Sequence, residues 1–276
     1  MPRKGFALRK LKVGIGGLGA VGYTVARALD RSIPGLVLAA VSARDTGRAQ
    51  QRIATLERQV PVVSLAELAP MADVVVECLP ASEFRNIAVP AVSLGRIFMP
   101  LSIGQLLVHD DVLEIARSAG GRVIAPTGAL LGLDAVRAAA EGEIVSVRMV
   151  TRKPPAGLQG APYLEQNGID VLKVAEPTKI FEGSAREGAK GFPANVNVAA
   201  ALSLAGVGPD RTGLEIWADP TVDRNVHSIT VEADSARFEM KIENVPSKEN
   251  PRTGKITALS TIAALRGLVS TLRAGS

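Results

Sequence analysis

Short, continuously apolar runs separated by helix-like stretches fill the first half of the chain. The runs predict strands at residues 11–16, 36–41, 73–78, 96–101 and 122–125. Helical spacing lies between several of them, for example at residues 22–30 and 108–118. Apolar strands that alternate with helices are typical of a parallel sheet covered on both faces. The first half therefore predicts a doubly wound α/β domain.

The pattern changes after Pro126. Apolar and polar residues alternate with period two at residues 143–152, 226–233 and 237–243, which indicates antiparallel strands with one solvated face. Helical runs are predicted at residues 184–190 and 197–204, and a last helix at 253–273 is expected to pack back on the first domain. We predict a dinucleotide-binding domain of residues 1–127 and 250–276, and a second α+β domain, with a mainly antiparallel sheet, of residues 128–249.

Composition narrows the classes of function. The chain of 276 residues has one cysteine, Cys78, and two histidines, so we expect no disulfide, no metal site and a reducing, cytoplasmic compartment. No apolar run approaches the ~18 residues that a membrane span needs. The net charge of +5 equals that of residues 1–12, which hold five basic residues and no acid. A neutral remainder with 3% aromatic residues argues against a nucleic-acid partner.

A glycine-rich turn follows the first strand. The spacing G-x-G-x-x-G occurs in two registers, one beginning at Gly14 and one at Gly17. The second leaves a full strand before the turn and opens the helix at its third glycine, as in a Rossmann-type dinucleotide-binding domain. The alternative is a plain strand-to-helix turn without a ligand. The predicted cofactor contacts here are Gly17, Gly19, Ala20, Val21 and Gly22.

The end of the second strand bears on the choice of dinucleotide. An acidic residue is expected about 20 positions after the glycines to bind the ribose hydroxyls of NAD. Here Ser42 and Arg44 stand at the strand end, and Asp45 comes one step later. Arg44 suits a 2′-phosphate, so we predict that NADP is accepted as well as NAD, unless Arg44 is only a solvated loop residue.

His227 is the candidate acid or base. It stands at the entrance of a predicted strand, and Asp219 and Asp223 precede it closely. His109 is better interpreted as a surface residue. Basic residues of the second half are candidates for binding a dicarboxylate, but spacing does not rank them. They are Arg152, Lys153, Lys190, Arg224, Lys248, Arg252 and Lys255.

Several motifs in a fixed order resemble the L-aspartate dehydrogenase family over nearly the whole chain after Lys10. They are the glycine turn, Pro-Thr-Gly-Ala at 126–129 with Gly-Leu-Asp at 132–134, Lys-Pro-Pro at 153–155, Phe-Glu-Gly-Ser at 181–184, Phe-Pro-Ala-Asn-Val-Asn-Val-Ala at 192–199, Ala-Asp-Pro at 218–220, Asn-Val-His at 225–227, Lys-Ile-Glu-Asn-Val-Pro-Ser at 241–247 and Glu-Asn-Pro-Arg-Thr at 249–253. One departure is Ser42, where family members often carry an acidic residue.

The resemblance implies a function and several site residues. It implies reversible oxidative deamination of L-aspartate to oxaloacetate and ammonia through iminoaspartate, with NAD or NADP, and a supply of iminoaspartate to NAD biosynthesis. It makes His227 the catalytic residue and brings Ala129 and Asn197 to the nicotinamide half of the cofactor. It also implies a homodimer formed by the second domain. The alternatives are another amino-acid-pathway dehydrogenase, of homoserine or dihydrodipicolinate type, and a non-catalytic dinucleotide-sensing protein.

Overall fold

The chain was studied as a computed structural model, which describes residues 9–247, 249 and 254–275. Part of the predicted basic arm (residues 1–8) and the candidate residues Lys248 and Arg252 lie outside the described residues, as does most of the 249–253 motif. Two sheets make up the framework. Among the described residues, no helix is both long and apolar enough to cross a membrane.

The first sheet has five parallel strands. They are β1 (Leu11–Gly16), β2 (Leu36–Ser42), β3 (Val74–Glu77), β4 (Ile97–Pro100) and β5 (Arg122–Val123). Their order is β2-β1-β3-β4-β5, and a single parallel bridge from Val41 to Val62 extends it beyond β2. Counting that bridge as a reduced strand gives the order 3-2-1-4-5-6 of a Rossmann domain. The strand order reverses between β1 and β3, since β2 is added on one side of β1 and β3 on the other, and such a switch point is where these sheets bind ligands.

Helices cover both faces of this sheet. Those of the first half are α1 (Ala20–Asp30), α2 (Thr46–Ile53), α3 (Leu65–Met71), α4 (Phe84–Ser93) and α5 (Asp111–Ser118). Val75 packs in the core on the side of α3, α4 and α5, whereas Val74 and Val76 pack on the side of α1. All three valines are fully buried, which explains why β3 is continuously apolar.

The second sheet also has five strands. They are β6 (Ile144–Lys153), β7 (Thr178–Ser184), β8 (Thr212–Ala218), β9 (Asn225–Ala233) and β10 (Arg237–Asn244). The order is β10-β9-β6-β8-β7, and neighbours are antiparallel except for the parallel pair of β6 and β8. The mainly antiparallel sheet confirms the predicted fold class, and the parallel pair is a detail that the alternation did not reveal.

Helices pack on one face of the second sheet, and its other face carries charged, polar and half-buried apolar side chains. The helices of this part are α6 (Leu133–Ala139), α7 (Pro162–Gln166), α8 (Ala185–Gly191) and α9 (Asn197–Ala205). In β6, Val147 and Met149 are buried towards these helices, whereas Arg148 between them is exposed. This alternation is the period-two signal of the sequence.

The last helix returns to the first sheet. It is α10 (Lys255–Gly267), which packs against α1 and buries Leu265 in the core beneath that helix. The packing agrees with the sequence prediction, but the helix ends at Gly267 rather than near residue 273. The chain therefore crosses from the first sheet to the second and back, and the two crossings lie at the site described next.

Candidate active site

The glycine turn between β1 and α1 has the geometry of an anion cradle. Gly17 has φ +92°, a left-handed conformation that favours glycine. A Cβ on Gly22 would lie 1.9 Å from the Gly17 carbonyl oxygen, so only glycine lets the helix start so close to the strand. Gly19 faces open space, with no other heavy atom within 4 Å of a Cβ built there. The register Gly17, Gly19, Gly22 thus fits a pyrophosphate at a helix N-terminus, next to Ala20 and Val21.

The predicted ribose-binding residues lie beside this turn. Ser42 is the last residue of β2 and is paired with Gly16 of β1, and its carbonyl oxygen accepts a hydrogen bond from Gly17 N at 2.7 Å. Arg44 follows and is exposed. Asp45 caps α2, since its carboxylate accepts from the Arg48 amide at 2.9 Å. That acidic group is therefore already engaged in a helix cap.

A cleft with about 670 Å³ of empty space, partly open to solvent, lies between the carboxyl edge of the first sheet and the second sheet. Loops after β4 and β5, the end of β6 and the starts of β9, α9 and α10 form its walls. The residues that matter below are Ala129, Lys153, Asn195, Asn197, Asn225 and His227. His227, Ala129 and Asn197, which the sequence singled out, thus lie in one cleft.

His227 is held within the sheet by a neighbouring strand. It is the third residue of β9 and only 2% exposed, and it is paired with Thr151 of β6. Its Nδ1 lies 2.8 Å from Thr151 Oγ1. Burial and the nearby Lys153 ammonium lower the pKa of His227 to about 3. The imidazole is therefore neutral at physiological pH, and a pKa this low makes it a weak base unless a bound ligand changes its surroundings.

The carboxylates expected near His227 have other partners. Asp219 accepts hydrogen bonds from Thr221 Oγ1 at 2.6 Å and from Arg152 at 3.1 Å. Asp223 forms an ion pair with its neighbour Arg224. Proximity in sequence therefore did not identify the group that orients the ring, which is a hydroxyl on the adjacent strand.

Lys153 is the charged group of the cleft. It is the last residue of β6, only 6% exposed, and its Nζ donates to Asn195 Oδ1 at 3.1 Å. Burial lowers the pKa of Lys153 to about 8. The sequence analysis named Lys153 as one of seven basic candidates for binding a dicarboxylate. Of the five that the structure describes, Lys153 is the one that lines the cleft together with His227.

Ala129 and Asn197 present polar atoms at the same cleft. Asn197 is the first residue of α9, and its Oδ1 accepts from Gly104 N at 3.0 Å. This bond orients the side chain and leaves its amide nitrogen as the donor. The carbonyl oxygen of Ala129 accepts from Asn244 Nδ2 at 3.1 Å, which fixes the loop before α6. The Asn197 amide nitrogen is a donor and the Ala129 carbonyl oxygen is an acceptor, so together they match the two hydrogen-bonding groups of a carboxamide.

Glu77 is a buried carboxyl group that the sequence analysis missed. It ends β3, is fully buried, and accepts hydrogen bonds from the backbone amides of Leu79, Leu101 and Ser102 at 2.7, 3.1 and 2.8 Å. Burial raises its pKa. The group ties the loops after β3 and β4 together, and Leu101 of the second loop lines the cleft. His109, by contrast, stacks on Phe84 away from the cleft.

Comparison with known proteins identifies the family to which the chain is similar. The family model for the C-terminal part of aspartate dehydrogenase matches residues 134–268, and the NAD-binding domain model of homoserine dehydrogenase matches residues 17–126. The chain is 57% identical to an L-aspartate dehydrogenase of Bradyrhizobium diazoefficiens, over 98% of this chain and 96% of that protein. It is 42% identical to an L-aspartate dehydrogenase of Methanocella arvoryzae, over 96% and 99% of the two chains.

Solved structures show the same fold. The crystal structure of aspartate dehydrogenase from Thermotoga maritima superposes with a TM-score of 0.71 at 24% identity, over 97% of this chain and all of that one. Scyllo-inositol dehydrogenase from Lactobacillus casei, solved with NAD(H) and scyllo-inositol, gives a TM-score of 0.55 at 14% identity, over 95% and 88% of the two chains. With the sequence relatives above, these findings show that the chain belongs to the L-aspartate dehydrogenase family.

Proposed function

We propose that the protein is an NAD(P)-dependent L-aspartate dehydrogenase, which converts L-aspartate reversibly to oxaloacetate and ammonia through iminoaspartate. The observation that carries this proposal is a buried neutral imidazole, His227, facing a cleft at the carboxyl edge of a dinucleotide-binding sheet. The relatives at 57% and 42% identity carry the same name. The fold alone would not support so specific a reaction.

The residues present fit a nicotinamide dinucleotide. The glycine turn from Gly17 to Gly22 would hold the pyrophosphate, because Gly19 leaves open space at the helix N-terminus. The Ala129 carbonyl and the Asn197 amide would hold the nicotinamide carboxamide, and Ser42 with Arg44 would lie at the adenosine ribose. The cofactor, when bound, supplies the hydride acceptor for the substrate Cα–H.

His227 would move the protons of the reaction. In the oxidative direction, its neutral ring takes a proton from the substrate ammonium, so that the amine lone pair can form the C=N bond as the hydride leaves. After the ring has released that proton to solvent, water adds to the imine carbon and loses a proton to the ring. The ring gives this proton to the amine and then takes the hydroxyl proton as the C–N bond breaks, which yields oxaloacetate and ammonia. General acid–base catalysis of this kind contributes roughly 10²- to 10⁴-fold in rate.

The activity is tested by following NADH and NADPH absorbance with oxaloacetate and ammonia. We expect turnover with the wild type and a loss of about 10²-fold or more in kcat for His227→Ala, with an unchanged Kd for the reduced cofactor. Full activity in that variant would remove His227 from its role. Turnover of homoserine or of a dihydrodipicolinate instead, or cofactor binding without any turnover, would support one of the two alternatives.

Cofactor choice depends on Arg44 in this proposal. Its exposed guanidinium follows Ser42 at the end of β2, where an acidic residue would repel a 2′-phosphate. We expect Arg44→Ala to raise the KM for NADPH about 10-fold and to leave the KM for NADH within twofold. Equal KM changes for both cofactors would assign Arg44 a structural role.

A homodimer is the expected assembly, through the outer face of the second sheet. Helices α8 and α9 pack on the inner face, and the outer face carries half-buried apolar side chains among charged ones. The apolar residues include Val150, Trp217 and Val226, each flanked along its strand by inward-facing residues. A face of this composition suits an interface with a second copy.

Two expectations concern the place of the reaction in the cell. The single cysteine, Cys78, leaves the described chain without a disulfide, which suits the reducing cytoplasm. Iminoaspartate released before hydrolysis would serve as a precursor for NAD biosynthesis. Detection of that imine by a trapping nucleophile during turnover would support this second role.

A further inference from the structure

Lys153 is a buried cation without an acidic partner among the described residues. Its one described side-chain hydrogen bond is to Asn195 Oδ1. Asp219 follows β8, the strand next to β6, and its backbone amide donates a hydrogen bond to the Lys153 carbonyl oxygen. Its carboxylate, however, accepts from Arg152 and Thr221 and does not pair with the Lys153 ammonium. A buried charge is costly unless an opposite charge compensates it. The described residues do not supply that charge.

The position of Lys153 directs its ammonium to the substrate side of the site. Lys153, Thr151 and His227 are all buried on the inner face of the second sheet, on the adjacent strands β6 and β9. Lys153 and His227 line the same cleft, and Lys153 lies two residues along β6 from Thr151, the residue paired with His227. The glycine turn, where a cofactor pyrophosphate would bind, belongs to the other sheet.

We propose that the Lys153 ammonium binds a carboxylate of the substrate and thereby anchors a four-carbon diacid beside His227. This inference rests on the proposed function for the identity of the diacid. Asn195 would hold the ammonium in place, since its Oδ1 accepts one of the three N–H groups and leaves two for a ligand. Lys153 is then a binding residue, and His227 keeps the proton transfers.

The anion would also change the state of the imidazole. The Lys153 ammonium disfavours a second positive charge on His227. A carboxylate bound to Lys153 cancels that effect, so the pKa of His227 rises when the substrate is present. The ring is thus better able to accept a proton in the complex than in the free protein.

The test measures binding of succinate, an unreactive diacid, to the NADH-saturated full chain by calorimetry. We compare the wild type with Lys153→Met, which replaces a buried unpaired charge by an apolar side chain of similar length and is expected to fold. Lys173→Met, at an exposed lysine far from the cleft, is the matched control. We expect Lys153→Met to weaken succinate binding about 10- to 100-fold, and the control to change it less than twofold.

Kinetics separates a binding role from a proton-transfer role. Lys153→Met is expected to raise the KM for oxaloacetate about 10- to 100-fold, as for succinate binding, with a smaller change in kcat and an unchanged Kd for NADH. A succinate affinity within twofold of the wild type, or a fall in kcat with an unchanged KM, would overturn the proposal. If the wild type binds succinate through Lys153 but does not turn over oxaloacetate, the diacid site stands and the dehydrogenase assignment fails.

The pH profile gives an independent readout. His227 is the titratable group that faces Lys153 from β9, and it stays neutral above pH 7. From the side of β8, Asp219 is paired with Arg152, and Asn195 and Asn197 bring no charge. Because Lys153 has its pKa lowered to about 8, succinate affinity should fall as the pH rises above that value. A flat profile between pH 7 and 10 in the wild type would contradict the proposal.

Discussion

Thr151 determines which nitrogen of His227 is available to the substrate. Its Oγ1 lies 2.8 Å from Nδ1, and it is the described hydrogen-bond partner of that nitrogen. When the hydroxyl accepts the Nδ1 proton, Nε2 keeps its lone pair, which is the form that takes up a proton. In the proposed mechanism, Thr151 therefore acts through the ring as a positioning residue.

Removing this hydroxyl is expected to reduce kcat. Thr151→Val keeps the shape of the side chain but leaves Nδ1 without its partner, and the loss of one hydrogen bond of roughly 1 kcal/mol corresponds to about a 5- to 10-fold fall in kcat. Steady-state kinetics with oxaloacetate, ammonia and NADH would measure it. Thr151→Ser retains the hydroxyl and should restore most of the rate. Equal rates for the Val and Ser variants would show that the hydroxyl plays no part.

The sequence singled out several residues that the structure brings into one cleft, but not their hydrogen-bond partners. His227, Ala129 and Asn197 stand in motifs that the sequence displays. Thr151 and Lys153 belong to a strand that the alternation predicted, but nothing local shows which residue of β9 lies opposite them. That register depends on pairing between segments 76 residues apart, which a pattern within one strand cannot specify.

At the scale of elements, the three glycines of the first turn have different physical roles. Gly17 permits a left-handed turn and Gly22 permits close packing of the helix start on the turn. Gly19 is needed for neither, because its φ of −77° is open to any residue and its surroundings are empty. The remaining reason for glycine at position 19 is that a ligand approaches the backbone closely there.

This division predicts different outcomes for two alanine variants. Gly19→Ala should fold with the stability of the wild type but lose about 10-fold or more in NADH affinity, since a methyl group occupies the space of the pyrophosphate. Gly22→Ala should lower both the melting temperature and the affinity, because its Cβ would collide with the Gly17 carbonyl. Gly267→Ala, at the end of α10 with open surroundings, serves as the control. Unchanged NADH binding in Gly19→Ala would locate the pyrophosphate elsewhere.

Elements with a strong periodic signal were predicted closely, and the weak ones were not. The strand β1 has the predicted bounds, whereas β7 was missed because its sequence, Thr-Lys-Ile-Phe-Glu-Gly-Ser, combines two adjacent apolar residues with a register irregularity. The third strand of the Rossmann order is reduced to one bridge at Val62, so it has no pattern to detect. Tertiary pairing, rather than local propensity, determines both features.

At the scale of the whole molecule, the site exists only because the chain crosses between the two sheets. The cleft is lined by residues that are far apart in the chain, such as Pro100 of the first sheet and Thr257 at the start of α10. His227 lies 210 positions after Gly17, counted from the sequence numbering. The packing of α10 on α1 holds the returning chain, and the buried carboxyl of Glu77 fixes the loops that meet the second sheet. Cofactor and substrate groups can therefore converge although neither sheet carries both.

The outer face of the second sheet is where a second copy is expected to pack. Val150 lies at its centre, on the middle strand β6, between Ser228 of β9 and Glu215 of β8. A lysine at this position would be tolerated on a solvent-facing surface but would be costly at the core of an interface.

We expect the wild type to show about twice the chain mass of 28.8 kDa by light scattering, and Val150→Lys to show a single chain at micromolar concentration. Leu172→Lys, at an exposed leucine outside the strands, should remain dimeric. Because the cleft lies on the opposite, helix-covered side of the sheet, the monomeric variant should retain NADH binding, and a wild type that runs as a single chain would refute this interface.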